Sequence, residues 1–327
     1  MANAADPRQE AARGDGVLGL EREALGLADR LPNILIEAKR IAQTVAHGIH
    51  GRRRAGPGET FWQFRQFQSS DTARQIDWRR SASSDHLYVR EREWEAAHTV
   101  WLWPDLSPSM NFRSHLSATT KRERAIVLML AAAELLVRGG ERVAFLGLTQ
   151  PTASRKATTR IAEAIITNQT ATALVGTQPP KTHLTRFSGA IVFSDFLDPI
   201  ARTREHIEAL AADGASGHLI QVLDPAEESL PYDGRTEFLS PSGDDRWVID
   251  RAQSLRGRYR QRFEAHRAEL TAIAKRLGWS FLVHHTDRPT EEAVLVVHNR
   301  LAGLERDYRY RPPRPEPVSE TEAGQQP

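Results

Sequence analysis

From Thr99 onward the chain alternates short apolar runs with stretches of helical period, and that rhythm leaves few folds open to it. Thr99–Trp103, Val143–Leu148, Ala190–Phe193, Leu219–Leu223 and Trp279–Val283 read as strands, with shorter ones at Thr236–Leu239 and Arg246–Ile249. Helices are predicted over 119–137, closed by Gly139-Gly140, over 198–212, opened by Asp198-Pro199, over 250–277, stopped by Gly278, and from Thr290 onward. Successive strands joined by whole helices pair in parallel, and parallel strands are covered by helices on both faces. The prediction is an α/β, doubly wound, mostly parallel sheet over residues 95–304.

The flanks have a different texture. Residues 1–18 are small and polar and are expected to be disordered, as is the Pro/Glu-rich tail 305–327. Residues 19–94 read as N-terminal helices followed by a small β-rich element. In that region a helical pattern from Leu20 to about Val45 carries Pro32 as a break or a fresh start. Aromatic and charged residues alternate over 59–98, with an exposed strand expected at Leu87–Glu95.

Composition then removes whole classes of function. The 327 residues contain no cysteine, which excludes disulfides, zinc–thiolate sites, Fe–S clusters and a cysteine nucleophile. A net charge of +2 is too small to signal nucleic-acid binding by itself. Only five of the 44 basic residues are lysines, a bias attributed to the composition of the source genome. No glycine precedes any of those lysines, so a phosphate-binding P-loop is absent, and no serine is flanked by glycines in the manner of a nucleophile elbow. Gly14, Gly16 and Gly19 have dinucleotide-fingerprint spacing, but no strand precedes them. The most apolar run, 125–137, is too short to span a bilayer and contains Glu134, and no secretory leader is visible; a cytoplasmic protein is expected. His47 with His50, and His284 with His285, lack an acidic companion at ligand spacing and read as ordinary histidines.

One loop carries the functional signal. Directly after the first strand of the alternating region comes Asp105-Leu106-Ser107-Pro108-Ser109-Met110, a D-x-S-x-S pattern at a sheet's carboxyl edge, where open α/β sheets bind ligands. A carboxylate and two hydroxyls at alternate positions are hard oxygen donors suited to Mg²⁺. Ser194-Asp195, after another strand, brings a second carboxylate toward the same edge. The alternative is a helix-capping turn.

The run from Trp62 to Met110 resembles the domain-of-unknown-function 58 family, proteins associated with MoxR-type AAA+ ATPases. The residues that carry the likeness are Phe64-Arg65, Phe67, Asp71, Arg74, Ile76-Asp77-Trp78, Ser81-Ala82, Leu87 to Glu91 and the Asp105–Met110 loop, with Ser194-Asp195-Phe196 and Leu230 to Gly234 downstream. The resemblance implies a von Willebrand factor A-like domain with a metal-ion-dependent adhesion site. In it Asp105, Ser107, Ser109 and Asp195 would be the ligands, and a threonine from the 177–185 stretch (Thr177, Thr182 or Thr185) would complete the set. Mg²⁺ is the implied cofactor.

The expected function is a non-enzymatic protein-interaction adaptor working with a MoxR-type ATPase or its client. The alternative is nucleic-acid binding through Arg52–Arg54, Arg79 and Arg80. Against it, nine arginines oppose seven acids over 51–98, which favours internal ion pairing around Asp71, Arg74, Asp77 and Trp78. A metal-dependent hydrolase is a weaker third reading, because no general base stands beside the loop.

Overall fold

The computed structural model describes residues 29–46, 63–67, 76, 78–82, 84, 86–91, 98–167, 176–185, 188–241 and 245–307. Its centre is a five-stranded, all-parallel sheet. The strands are β3 (Thr99–Pro104), β4 (Arg142–Phe145), β5 (Ser188–Ser194), β6 (Ser216–Leu223) and β9 (Ser280–His285), in the order β4-β3-β5-β6-β9. The first strand of the series thus has the second on one side and the third on the other. Chain direction across the sheet reverses between β3 and β5, which makes that gap the topological switch point.

Burial explains why these runs are strands. Every residue of β5 is buried, as expected for a strand covered on both faces. One face of the sheet carries α3 (Lys121–Arg138), with α4 (Ala157–Thr167) and α8 (Thr290–Asp307) packed against it. The other carries α5 (Ile200–Ala211) and α7 (Arg256–Arg276). A first helix, α1, over residues 29–46, adds Leu31, Ile34, Ala38, Ile41, Ala42 and Val45 to the same core. Those positions form one helical stripe. Pro32 lies within the described span of α1, close to its first described residue. Arg40 reaches Glu291 at 3.3 Å and Arg30 pairs with Glu123, which tie α1 to α8 and α3.

Several expectations are corrected. Residues 157–167, where no helix or strand is predicted above, form α4. The segments Thr236–Leu239 (β7) and Arg246–Ile249 (β8) are strands as predicted, but they pair antiparallel as a separate hairpin. Strand β4 stops at Phe145 because the chain turns at Gly147, whose φ is 79°. The helix expected from 250 starts with a tight 3₁₀ turn, Ala252–Leu255. Asp198 does not cap α5: Pro199 holds the cap position, and the Asp198 carboxylate accepts hydrogen bonds from Thr177 and Gln178 instead.

The β-rich element contains β1 (Gln63–Gln66) paired antiparallel with β2 (Tyr88–Glu91), joined through the short helix α2 (Trp78–Ser81). The disorder expected for 1–18 lies outside the described residues, and α8 continues through Asp307. Among the described residues no helix is long and apolar enough to cross a membrane.

Packing on the β6–β9 side depends on one glycine. A Cβ on Gly217 would lie 2.2 Å from the buried Trp279 ring, whose indole N–H donates to the Ala215 carbonyl at 2.9 Å. Gly217→Ala forces that ring out of its seat and is expected to destabilise the fold by about 1–3 kcal/mol. Urea unfolding measures this. A variant as stable as wild type would mean that the ring shifts without loss.

Candidate functional site

Three loops meet at the carboxyl edge, on either side of the switch point. The first follows β3, and its Asp105 N–H still donates to Phe193 O at 2.7 Å, which keeps the loop in register with β5. Asp105 is buried with both oxygens engaged: Oδ1 accepts the Ser107 N–H at 2.9 Å, and Oδ2 accepts the Ser194 hydroxyl at 2.7 Å. The Ser107 and Ser109 hydroxyls lie 3.2 Å apart, and Ser109 donates to Asp195 Oδ2 at 2.9 Å. The four residues singled out in the sequence therefore form one connected hydrogen-bonded group.

The second loop follows β5. Asp195 Oδ1 accepts the Leu197 N–H at 3.1 Å, and Gln221 donates to the Asp195 carbonyl at 2.9 Å. The next residue, Phe196, has φ 51°, a left-handed conformation that is costly for an aromatic residue. It is held by its N–H on Ser194 Oγ and by its buried ring.

The third loop follows β6. Buried Asp224 caps α6 (Pro225–Ser229) through Ala226 N–H at 2.9 Å and takes Ser114 N–H at 2.8 Å and Ser114 Oγ–H at 2.5 Å. That carboxylate fastens the first loop to the third. Leu230, which ends α6, has φ 46°. Phe196 and Leu230 are the two non-glycine residues with positive φ among the described residues, and both belong to this edge.

At the centre stands a residue that sequence reasoning missed. Lys121, the first residue of α3, is 1% exposed, and its Nζ donates to Asp195 Oδ2 at 2.8 Å and Glu227 Oε1 at 2.5 Å. Burial acts to lower its pKa, but the Asp195 and Glu227 carboxylates outweigh burial and hold the ammonium above the ordinary lysine value. Burial pushes the Glu227 carboxyl up, and Lys121 only partly offsets it. The Asp105 carboxyl is pushed up to about 7, by burial first and by the Asp195 charge second, against the hydrogen bonds from Ser107 and Ser194. Two signals could have drawn attention to Lys121, though neither reveals its partners. It is one of only five lysines, and it stands at a helix N-terminus, where the macrodipole disfavours a cation unless carboxylates compensate.

This arrangement does not fit a divalent ion. Both Asp105 oxygens already accept internal donors, and the Asp195 oxygen that faces Ser109 already binds an ammonium. Of the candidate threonines, the Thr177 hydroxyl is taken by Asp198. Among the described residues no group of three or more His, Asp or Glu side chains is arranged to hold a metal.

Three large apolar side chains are exposed on these loops, beside the exposed Arg113 and His115. Phe112 and Leu116 on the first loop and Leu197 on the second are 39%, 41% and 41% exposed, whereas most large hydrophobic residues among the described ones are buried.

Elsewhere, His285 bonds Glu228, 57 residues away in sequence, which also pairs with Arg267 at 2.7 Å. Arg52–Arg54, Asp71 and Arg74 lie outside the described residues, as does the side chain of Arg80; Arg79 is exposed on α2.

Comparison with known proteins agrees with the sequence reading. The family described as "Protein of unknown function DUF58" matches residues 63–269. Uncharacterized proteins of Mycobacterium tuberculosis and Mycobacterium bovis are 29% identical over 280 residues, covering 80% of this chain and 86% of theirs. Among solved structures, the conserved hypothetical protein BatB from Bacteroides thetaiotaomicron is 16% identical with a TM-score of 0.35. An aerotolerance-related membrane protein from Bacteroides fragilis is 14% identical with a TM-score of 0.38. Each likeness covers 63% of this chain and all of the other.

Proposed function

Since the chain belongs to the DUF58 family, whose description assigns no activity, we propose a role read from the geometry of its sheet edge. That role is a non-enzymatic adaptor that takes a protein partner there and works with a MoxR-type AAA+ ATPase. The observation that supports it is the exposure of Phe112, Leu116 and Leu197, the rim of the proposed interface, on the two loops that carry the hydrogen-bonded polar centre. Exposed apolar side chains beside a switch point suit a protein interface, whose energetic core is a few large side chains. The hydroxyls at the centre favour binding over catalysis. Ser107 and Ser109 bond to each other and Ser109 donates to Asp195, and among the described residues neither hydroxyl bonds an imidazole that could activate it.

The experiment is a binding titration of the purified chain against the MoxR-type ATPase of the same genome. Leu116→Glu and Leu197→Glu each place a charge in the rim without touching the core. Each is expected to weaken binding at least roughly tenfold. Ile36→Glu, on the exposed side of α1 and on none of the three loops, serves as a control and leaves binding unchanged. Equal affinity for wild type and both rim variants, or no binding by wild type, would overturn the reading.

A further inference from the structure

We propose that Lys121 is the resident cation of the D-x-S-x-S edge, so that this edge is organised without a metal ion. The family resemblance gives Asp105, Ser107, Ser109 and Asp195 to a divalent cation, and the structure gives the decisive carboxylate to an ammonium. Lys121 Nζ lies 2.8 Å from Asp195 Oδ2, the same oxygen that accepts Ser109, and 2.5 Å from Glu227 Oε1. It thereby connects the loop after β5, the helix after β6 and the start of α3, as a bridging metal would.

Local preferences of α3 do not explain a cation at this position. The helix already has its cap: Thr120 and Glu123 form a reciprocal capping box that satisfies two amides, and an ammonium, which only donates, has no part in capping. Only the carboxylates compensate for a positive charge at the positive end of a helix. The lysine stem is buried with its head, and the Phe112 ring lies 5.9 Å from Nζ, so the ammonium is not a surface charge that has turned inward.

A dication brought to Asp195 would stand beside a fixed ammonium in a buried setting, where like charges are poorly screened. Conversely, removing the ammonium leaves two carboxylates and the Ser109 hydroxyl facing one gap. Those are hard oxygen donors of the kind that Mg²⁺ and Mn²⁺ accept. The lysine therefore does more than fill the site: it excludes the ions that its neighbours would otherwise attract. Any partner that docks on this edge meets a built-in charge arrangement that does not vary with metal supply.

The inference concerns the edge used in the adaptor reading but is tested without a partner. Mn²⁺ binding to the full chain is followed by electron paramagnetic resonance, and thermal unfolding is followed with Mg²⁺ or with chelator. Wild type is expected to bind no Mn²⁺ at millimolar concentration and to unfold at the same temperature under both conditions. Lys121→Ala is expected to gain one Mn²⁺ per chain and to unfold at a higher temperature with Mg²⁺ than with chelator. If that variant folds only when metal is added, the same gain has been observed. Stoichiometric Mn²⁺ on wild type, or a folded Lys121→Ala chain with no affinity for Mn²⁺, overturns the proposal. If Lys121→Ala does not fold under any condition, the wild-type measurement decides alone. A chain that shows the expected metal pattern yet binds no ATPase would leave the role of Lys121 intact and remove only the adaptor reading.

Discussion

Lys121→Met is expected to destabilise the fold by about 3–5 kcal/mol, the range found when one member of a buried ion pair is removed. Methionine keeps most of the stem volume, so the loss reports the charge and not a cavity. What remains are the Asp195 and Glu227 carboxylates, 5% and 14% exposed at their side chains, with their shared counter-ion gone. Glu227 must still accept the Asp224 N–H in its own capping box, so it cannot swing to solvent without opening α6. Adding Asp195→Asn and Glu227→Gln to Lys121→Met replaces the charges with neutral amides, and a substantial part of the loss should return. The coupling among the three changes, read from urea unfolding of the single, double and triple variants, isolates the ionic contribution. Independent, additive effects would show that the three side chains do not act as a unit.

The same residue shows where sequence reasoning stops. The strands of the parallel sheet were legible because a both-faces-buried strand is written as an uninterrupted apolar run, as in Ala190 to Phe193. The D-x-S-x-S loop was legible because its position after such a strand is meaningful by itself. Lys121 was not, since a lysine that opens a helix reads as a solvated first-turn residue. Its partners are 74 and 106 residues away, and only the third dimension brings them together. Glu227 was hidden in the same way, as an ordinary N3 glutamate of a capping box.

Helix α4 was missed although Ile161, Ala162 and Ile165 form a buried stripe, because its threonines and β-branched residues blur the helical signal. The β7 and β8 segments were recognisable as strands, but periodicity says nothing about which strand pairs with which. Leu239, Trp247 and Val248 remain exposed on that hairpin because it stands apart from the main sheet.

Acidification from pH 7.5 to 5 is expected to weaken the fold by about 2 kcal/mol for each of two buried histidines, His218 and His284. Burial lowers the His218 imidazole to about 4, with the Arg300 charge adding to it. Burial lowers His284 to about 3, with Arg124 and His285 adding to it. Neither ring has a partner for its Nε2 among the described residues, so nothing there rewards a second proton. In the unfolded chain both rings protonate near 6.5. Below that pH the unfolded state therefore binds protons that the folded state refuses. The stability contribution is complete above about pH 6.5 and falls as the pH drops, toward 4 for His218 and toward 3 for His284.

Asp105 works in the opposite sense, because a carboxyl held at about 7 in the fold gains a proton there before the unfolded chain does. The measurement must therefore be a difference. Urea unfolding of wild type and of His218→Leu/His284→Leu at both pH values cancels the Asp105 contribution, which is present in both chains. The variant should lose about 4 kcal/mol less than wild type over this interval, the sum of the two imidazoles. Equal losses would mean that these rings titrate in the folded chain as they do in water, and that the interior around β6 and β9 is wetter than its packing indicates.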